Sequence, residues 1–209
     1  MTHKTRLPHY DIFRHLANCF LVPDESINET VSSLKNIIEQ TLPSVEAEIN
    51  KLKETLENIS DLKQLQIDYT RIFIGPYTML APPYESVYRK GEGQLMGNSS
   101  IAVLELYKKA GLDLSEDYHD APDHVSTELE FVYLLLGKIE AFKQLEETDN
   151  EILYKNLLKS LLEDHLFHWM PEFTYRLKEK ASCDFYSALA HLTEKMIMNE
   201  LNSSSVMSG

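Results

Sequence analysis

Apolar residues recur three and four positions apart along nearly the whole chain, and no run that alternates every second residue survives for more than a few positions. That spacing lays an apolar stripe along one face of a helix, so it predicts successive amphipathic helices and no sheet. Ser26 and Glu29 have the spacing of a capping box, which starts a helix that runs to about Leu42. Pro43 and Ser44 restart the chain, and Val45, Ile49, Leu52 and Leu56 mark a second stripe. A third carries Leu62, Leu65, Tyr69, Ile72 and Phe73 on one face until Gly75-Pro76 stops it. Ser99 or Ser100 is placed to cap a short helix through Val103, Leu104 and Tyr107, closed by Gly111. Asp123 is the expected N-cap of the next, whose stripe is Val125, Leu129, Val132 and Leu136. A further helix begins near Asp149 with Leu153, Leu157, Leu158, Leu161 and Leu162. Pro171 suits the first position of another, and Ser182 or Asp184 opens the last, with Phe185, Leu189, Leu192 and Met196 inward.

The expected fold is therefore all-α and bundle-like, with two helical subdomains. The first spans residues 1–112 and the second 124–202, joined by a hinge in the polar run 113–123, with 203–209 as a mobile tail. Between the third and fourth helices lies a long loop, residues 74–98, that holds three of the eight prolines and four of the seven glycines. Loops of that length in compact domains are uncommon and often functional.

Composition supports this and narrows the function. Seven glycines in 209 residues, with much Leu, Glu, Lys and Ile, is a helical composition, and 43% hydrophobic with 10% aromatic residues is that of a globular chain. A formal net charge of −13 argues against a nucleic-acid binder, which needs Lys and Arg to neutralise phosphates, and suits a cationic partner or simple solubility. Cys19 and Cys183 are isolated, without metal-site or disulfide spacing, as fits a reducing compartment. The first residues lack the apolar core of a signal peptide, and no later stretch approaches the roughly 18 apolar residues of a membrane span, so a cytoplasmic location is expected.

Two features carry chemistry. From Ala110 to Gly137 there is no Lys or Arg, while Asp113, Glu116, Asp117, Asp120, Asp123, Glu128 and Glu130 all fall inside. Such a window produces a negative potential able to hold paired guanidiniums; it is equally what a solvated linker and a helix N-terminus would show. The loop offers Phe73, Tyr77, Pro82, Pro83, Tyr84 and Tyr88, rigid amphipathic groups that either line a peptide groove or pack the loop onto the core. His165 and His168 stand three apart without HExxH and without a fixed third ligand. Asp123-His124 has no nucleophile beside it, and GEGQLMG, from Gly91 to Gly97, matches neither phosphate-loop pattern.

Three runs resemble a known family. They are Tyr69-Thr70-Arg71-Ile72-Phe73-Ile74-Gly75-Pro76 with Ala81-Pro82-Pro83-Tyr84-Glu85-Ser86-Val87-Tyr88; Ala121-Pro122-Asp123-His124 with Glu128-Leu129-Glu130-Phe131; and His165-Leu166-Phe167-His168-Trp169-Met170-Pro171 with Phe173. In order and spacing, over about residues 69–175, they are similar to the TorD/DmsD family of redox-enzyme maturation chaperones, on the DmsD-like side. Members often carry Glu ahead of the Pro-Asp-His element where this chain has Asp120-Ala121-Pro122, and DmsD-like members tend to have Trp at the positions of Tyr84 and Tyr88, which bears on the client and not on the class.

The resemblance implies an all-α, non-enzymatic chaperone that binds the twin-arginine leader and apo form of a molybdenum-containing oxidoreductase of the DMSO/TMAO reductase type and assists its maturation before export. The implied peptide site is Phe73, Gly75, Pro76, Pro82, Pro83, Tyr84, Glu85, Ser86, Tyr88, Asp120, Pro122, Asp123, His124 and Glu128. The leader's arginines would pair around Asp123, its apolar stretch would lie on Phe73, Pro76, Pro82, Tyr84 and Tyr88, and His124 would tune the site. Further partners by resemblance are the Tat translocase and cofactor-biosynthesis proteins; a monomer is expected, with a domain-swapped dimer as the alternative. No catalytic residue, resident metal or cofactor is expected, and weak guanine-nucleotide binding follows from resemblance alone. The rival reading is a small metal- or nucleotide-dependent hydrolase using Asp123, His124 and Glu128, with His165.

Overall fold

The computed structural model describes residues 8–75, 77–115, 118 and 120–206, with side chains as far as Ser203. Within them the chain is built from helices. These are α1 (Asp11–Cys19), α2 (Ile27–Thr41), a 3₁₀ turn (Pro43–Val45), α3 (Glu46–Glu57), α4 (Leu62–Tyr69), a π segment (Thr70–Ile74), α5 (Glu85–Tyr88), α6 (Asn98–Lys109), α7 (Val125–Gln144), α8 (Thr148–Ser160), a second π segment (Leu161–Leu166), α9 (Phe167–Lys180) and α10 (Asp184–Val206). The all-α expectation is met, and the stripes read from the sequence are buried faces, Ile49, Leu52 and Leu56 on α3 and Leu189, Leu192 and Met196 on α10; α2 buries Val31, Leu34 and Ile38.

The long helix α7 is apolar on more than one side because it packs against both α1 and α8, while α3 lies on α10 and α10 on α9. Helices before residue 113 and after 123 thus share one continuous apolar core. Its centre is aromatic: Phe20 meets Phe173 at 5.8 Å, Phe73 meets Tyr186 at 5.5 Å, and Trp169 meets Phe173 at 5.2 Å between ring centroids.

Helix starts differ from expectation more than helix bodies do. Ser26 makes no side-chain cap; its N–H and hydroxyl both donate to Asp24, at 2.8 and 2.6 Å. Helix α6 starts at Asn98, and Glu92 accepts from the Ser99 N–H at 3.1 Å, leaving the Ser100 hydroxyl for another partner. His124, not Asp123, is the N-cap of α7, its Nδ1 accepting from the Ser126 N–H at 3.1 Å. Pro171 sits inside α9 instead of at its first position, where the missing N–H deprives the Phe167 carbonyl of its helical donor. Helix α10 starts at Asp184 but continues to Val206, so residues 203–206 of the expected tail are helical and 207–209 lie outside the described residues.

Candidate functional site

Two connections that are distant in sequence meet at one place. Pro82 and Pro83 hold the first extended, and Tyr84 and His124 then form an antiparallel bridge. The Glu85 N–H donates to the Asp123 carbonyl at 3.1 Å and the Val125 N–H to the Pro83 carbonyl at 2.8 Å. The Asp123 carboxylate is fully buried and has both oxygens in use, accepting from the Ser86 N–H at 2.8 Å and the Ser100 hydroxyl at 2.7 Å. It therefore caps α5 from a distance, and Tyr107 fixes the same connection by donating to the Pro122 carbonyl at 2.7 Å.

Beneath the bridge lies a buried cluster of ionisable groups. One Glu85 oxygen meets His165 Nδ1 at 2.7 Å, and Arg89 Nε lies 3.2 Å from the other. Glu128 accepts from the indole N–H of Trp169 at 3.1 Å. Burial, together with the negative charge of Glu85, pushes the Glu128 carboxyl well above the usual range, toward its protonated form. The second π segment is what turns His165 inward to this cluster, while His168 stays exposed.

Above the bridge the surface is tyrosine and carboxylate. Asp120 is exposed, its Oδ1 accepting from the Ala121 N–H at 2.7 Å, and the half-buried Tyr84 has its hydroxyl pushed up by burial and by the neighbouring Asp120 carboxylate. Tyr118 donates to the Ala121 carbonyl at 3.0 Å, meets Thr127 Oγ1 at 2.6 Å, and is pushed to about 12 chiefly by burial. The His124 ring stands edge-on to Tyr84 at 5.2 Å, and burial lowers its pKa against the opposing charges of Asp120 and Asp123.

Of the residues expected to form the site, Pro82, Pro83, Tyr84, Glu85, Ser86, Asp120, Pro122, Asp123, His124 and Glu128 converge here. Asp120 and Tyr84 reach solvent, whereas Asp123, Glu85, Ser86 and Glu128 are buried, with both Asp123 oxygens in use but the Ser86 hydroxyl and one Glu128 oxygen lacking a hydrogen-bond partner. Phe73 belongs to the aromatic core, and Tyr88 stacks on Trp169 at 5.7 Å under the Arg176 guanidinium. Gly75 ends the π segment at φ 63°, and Pro76 lies outside the described residues. Trp169, Ser100, Tyr107 and Tyr118 complete the arrangement without having been assigned to it, and His165 joins it, having been set beside Asp123, His124 and Glu128 only in the hydrolase reading; His165 and Trp169 share one sequence run, and that adjacency was the available signal.

The Gly91–Gly97 segment is a turn in which the Glu92 carboxylate already occupies the N-terminus of α6, the position where a phosphate would have to sit. Among the described residues, no group of three or more His, Cys, Asp and Glu could hold a metal ion.

The chain is similar to known proteins in sequence and in fold. The family model described as nitrate reductase delta subunit matches residues 39–175, a span that contains the bridge and the buried cluster. The chain is 28% identical over 160 residues to the chaperone protein TorD of Shewanella loihica, covering 73% of this chain and 69% of that one. To the Tat proofreading chaperone DmsD of Salmonella typhi it is 31% identical over 124 residues, covering 59% and 54%. A solved structure described as a redox enzyme maturation protein from Archaeoglobus fulgidus superposes with a TM-score of 0.53 at 23% identity, covering 93% of this chain and 98% of that one, and shares the all-helical fold. With most of its length matched, the chain belongs to the nitrate reductase delta subunit family, which includes the TorD and DmsD chaperones of redox-enzyme maturation.

Proposed function

We propose that the chain is a cytoplasmic chaperone that binds the twin-arginine leader and the apo form of a molybdenum-containing oxidoreductase, and that the leader's arginines are held at Asp120. The relatives are named chaperones, and the chain is a maturation protein, not an enzyme. The observation that carries the leader reading is Asp120 itself: an exposed carboxylate near Tyr84, just ahead of the Tyr84–His124 bridge, within a stretch that has no Lys or Arg. A guanidinium fork can bond such a carboxylate in plane, with tyrosine faces beside it for stacking. Asp123 supports this division of labour, since both its oxygens already serve Ser86 and Ser100. No helix among the described residues is long and apolar enough to cross a membrane.

Calorimetry with a synthetic twin-arginine leader tests the reading. Asp120→Ala should weaken binding by about tenfold, and Tyr84→Phe by less, with thermal stability unchanged in both. The wild-type affinity should fall as salt rises from about 50 to 500 mM. Equal affinity of wild type and Asp120→Ala would remove Asp120 from the site, and no binding by wild type would end the leader reading.

A further inference from the structure

Helix α9 has two unlike sides. Trp169, Met170, Phe173, Thr174 and Leu177 are buried, while the other side carries Phe167, 49% exposed, the exposed Pro171, and Tyr175, 57% exposed. Residues four apart on a helix are neighbours, so these three rings form one ridge about 12 Å long on a single element. Pro171 adds an acceptor to it: the Phe167 carbonyl, deprived of its helical donor, lies on the same ridge between Phe167 and Pro171. An exposed aromatic ridge with a backbone acceptor open to a new donor is a surface that another chain can cover.

The order of residues about Pro171 points to what covers it. Phe167 stands four positions before the proline and Tyr175 four after; Asp164 stands seven before and Lys178 seven after. Two copies of α9 packed antiparallel about Pro171 therefore set each Phe167 against the Tyr175 of the other copy, and each exposed Asp164 toward the other's partly exposed Lys178, with every contact made twice. The tyrosine hydroxyl then supplies a donor opposite the Phe167 carbonyl, and the helix dipoles oppose one another. Glu172, between the rings, is held by Arg176 at 2.9 Å and so meets its symmetry mate as part of an ion pair. Residues 163–180 carry four carboxylates and three Lys or Arg, close to neutral in a chain of net charge −13, which lowers the repulsion between two such chains at this face.

We infer that the exposed ridge of α9 is a contact between two copies of this chain, a weak two-fold dimer centred on Pro171. No element is exchanged in it, which separates it from a domain-swapped dimer, and it does not depend on the leader reading.

Sedimentation velocity of the full-length chain, from about 5 to 500 µM, tests it. Wild type should show a rapidly reversible monomer–dimer equilibrium with a Kd on the order of 100 µM, as suits a contact of this length. Raising salt from about 0.05 to 0.5 M should tighten it, because screening relieves the repulsion of two chains of like net charge. Phe167→Ser combined with Tyr175→Ser should weaken it at least about tenfold with thermal unfolding unchanged, both positions being exposed. An independent check uses the symmetry itself: Pro171→Cys should form an interchain disulfide on mild oxidation, since that position meets its own copy across the axis, whereas Glu57→Cys, exposed on α3, should not. The native Cys19 and Cys183 are buried and do not compete. A wild type that stays monomeric at the highest concentration would overturn the contact, as would a dimer that the double variant leaves intact. Equal crosslinking of the two cysteine variants, or a dimer that persists for hours after dilution as an exchanged one does, would overturn it too.

Discussion

Asp123 shows how burial decides what a residue can do. Its carboxylate accepts from the Ser86 N–H and the Ser100 hydroxyl in the interior, so its removal orphans two buried donors. Asp123→Ala should cost about 3 kcal/mol, read as a lower urea midpoint with an unchanged slope. Asp123→Asn should cost distinctly less, because the amide oxygen can still accept from Ser86 while its N–H₂ turns the Ser100 hydroxyl into an acceptor. If both variants melted with wild type, the carboxylate would not be holding α5. His124 next to it was legible as a titratable group beside acids. Its role as helix cap was not, because a neutral imidazole accepting from the Ser126 N–H leaves no mark in the sequence.

Helix bodies were readable because each buries one stripe against the shared core, and periodicity records that demand directly. Their starts were less so, since the groups that satisfy the first N–H donors come from elsewhere in the chain: Glu92 for α6, Asp123 for α5, and Asp68, which holds the turn into α10 by accepting from the Ser182 and Cys183 N–H groups at 3.0 and 2.8 Å. A local sequence window cannot contain a partner 37 or 115 residues away. The two π segments were equally hidden, being single wide turns inside helical periodicity. The first of them depends on Gly75, whose N–H closes the wide turn on the Thr70 carbonyl at 2.6 Å while its backbone adopts φ 63° and ψ 150°. A Cβ there would enter the Thr78 carbonyl, and the conformation is one that only glycine takes without strain. Gly75→Ala should therefore lower stability by about 2 kcal/mol or more, and a crystal structure of the variant should show residues 74–80 displaced. An unchanged melting temperature would mean that the loop has a second path of equal energy.

At the scale of the whole molecule, the connection between the two halves of the chain passes through a buried acid pair, and this ties stability to pH. Glu128 accepts from Trp169 of α9 and feels the charges of Glu85 from α5 and Asp123 from the connection before α7, while His165 and Arg89 meet Glu85. Because burial and the neighbouring acids raise its pKa, the native state binds this proton more tightly than the unfolded chain does. The stabilisation is complete below the unfolded carboxyl value of about 4.3 and is lost as pH rises toward the folded value, by up to about 1.4 kcal/mol per pH unit. Glutamine mimics the protonated group: its carbonyl can accept from the Trp169 indole and it is uncharged at every pH. Glu128→Gln should match wild type near pH 4 and exceed it increasingly toward pH 9, while the other titrating groups, common to both proteins, cancel in the difference. Urea unfolding of the two proteins at several pH values across that range measures the gap. Parallel stability curves would show that Glu128 carries no native proton, and that the bridge between the two connections rests on an ionised pair instead.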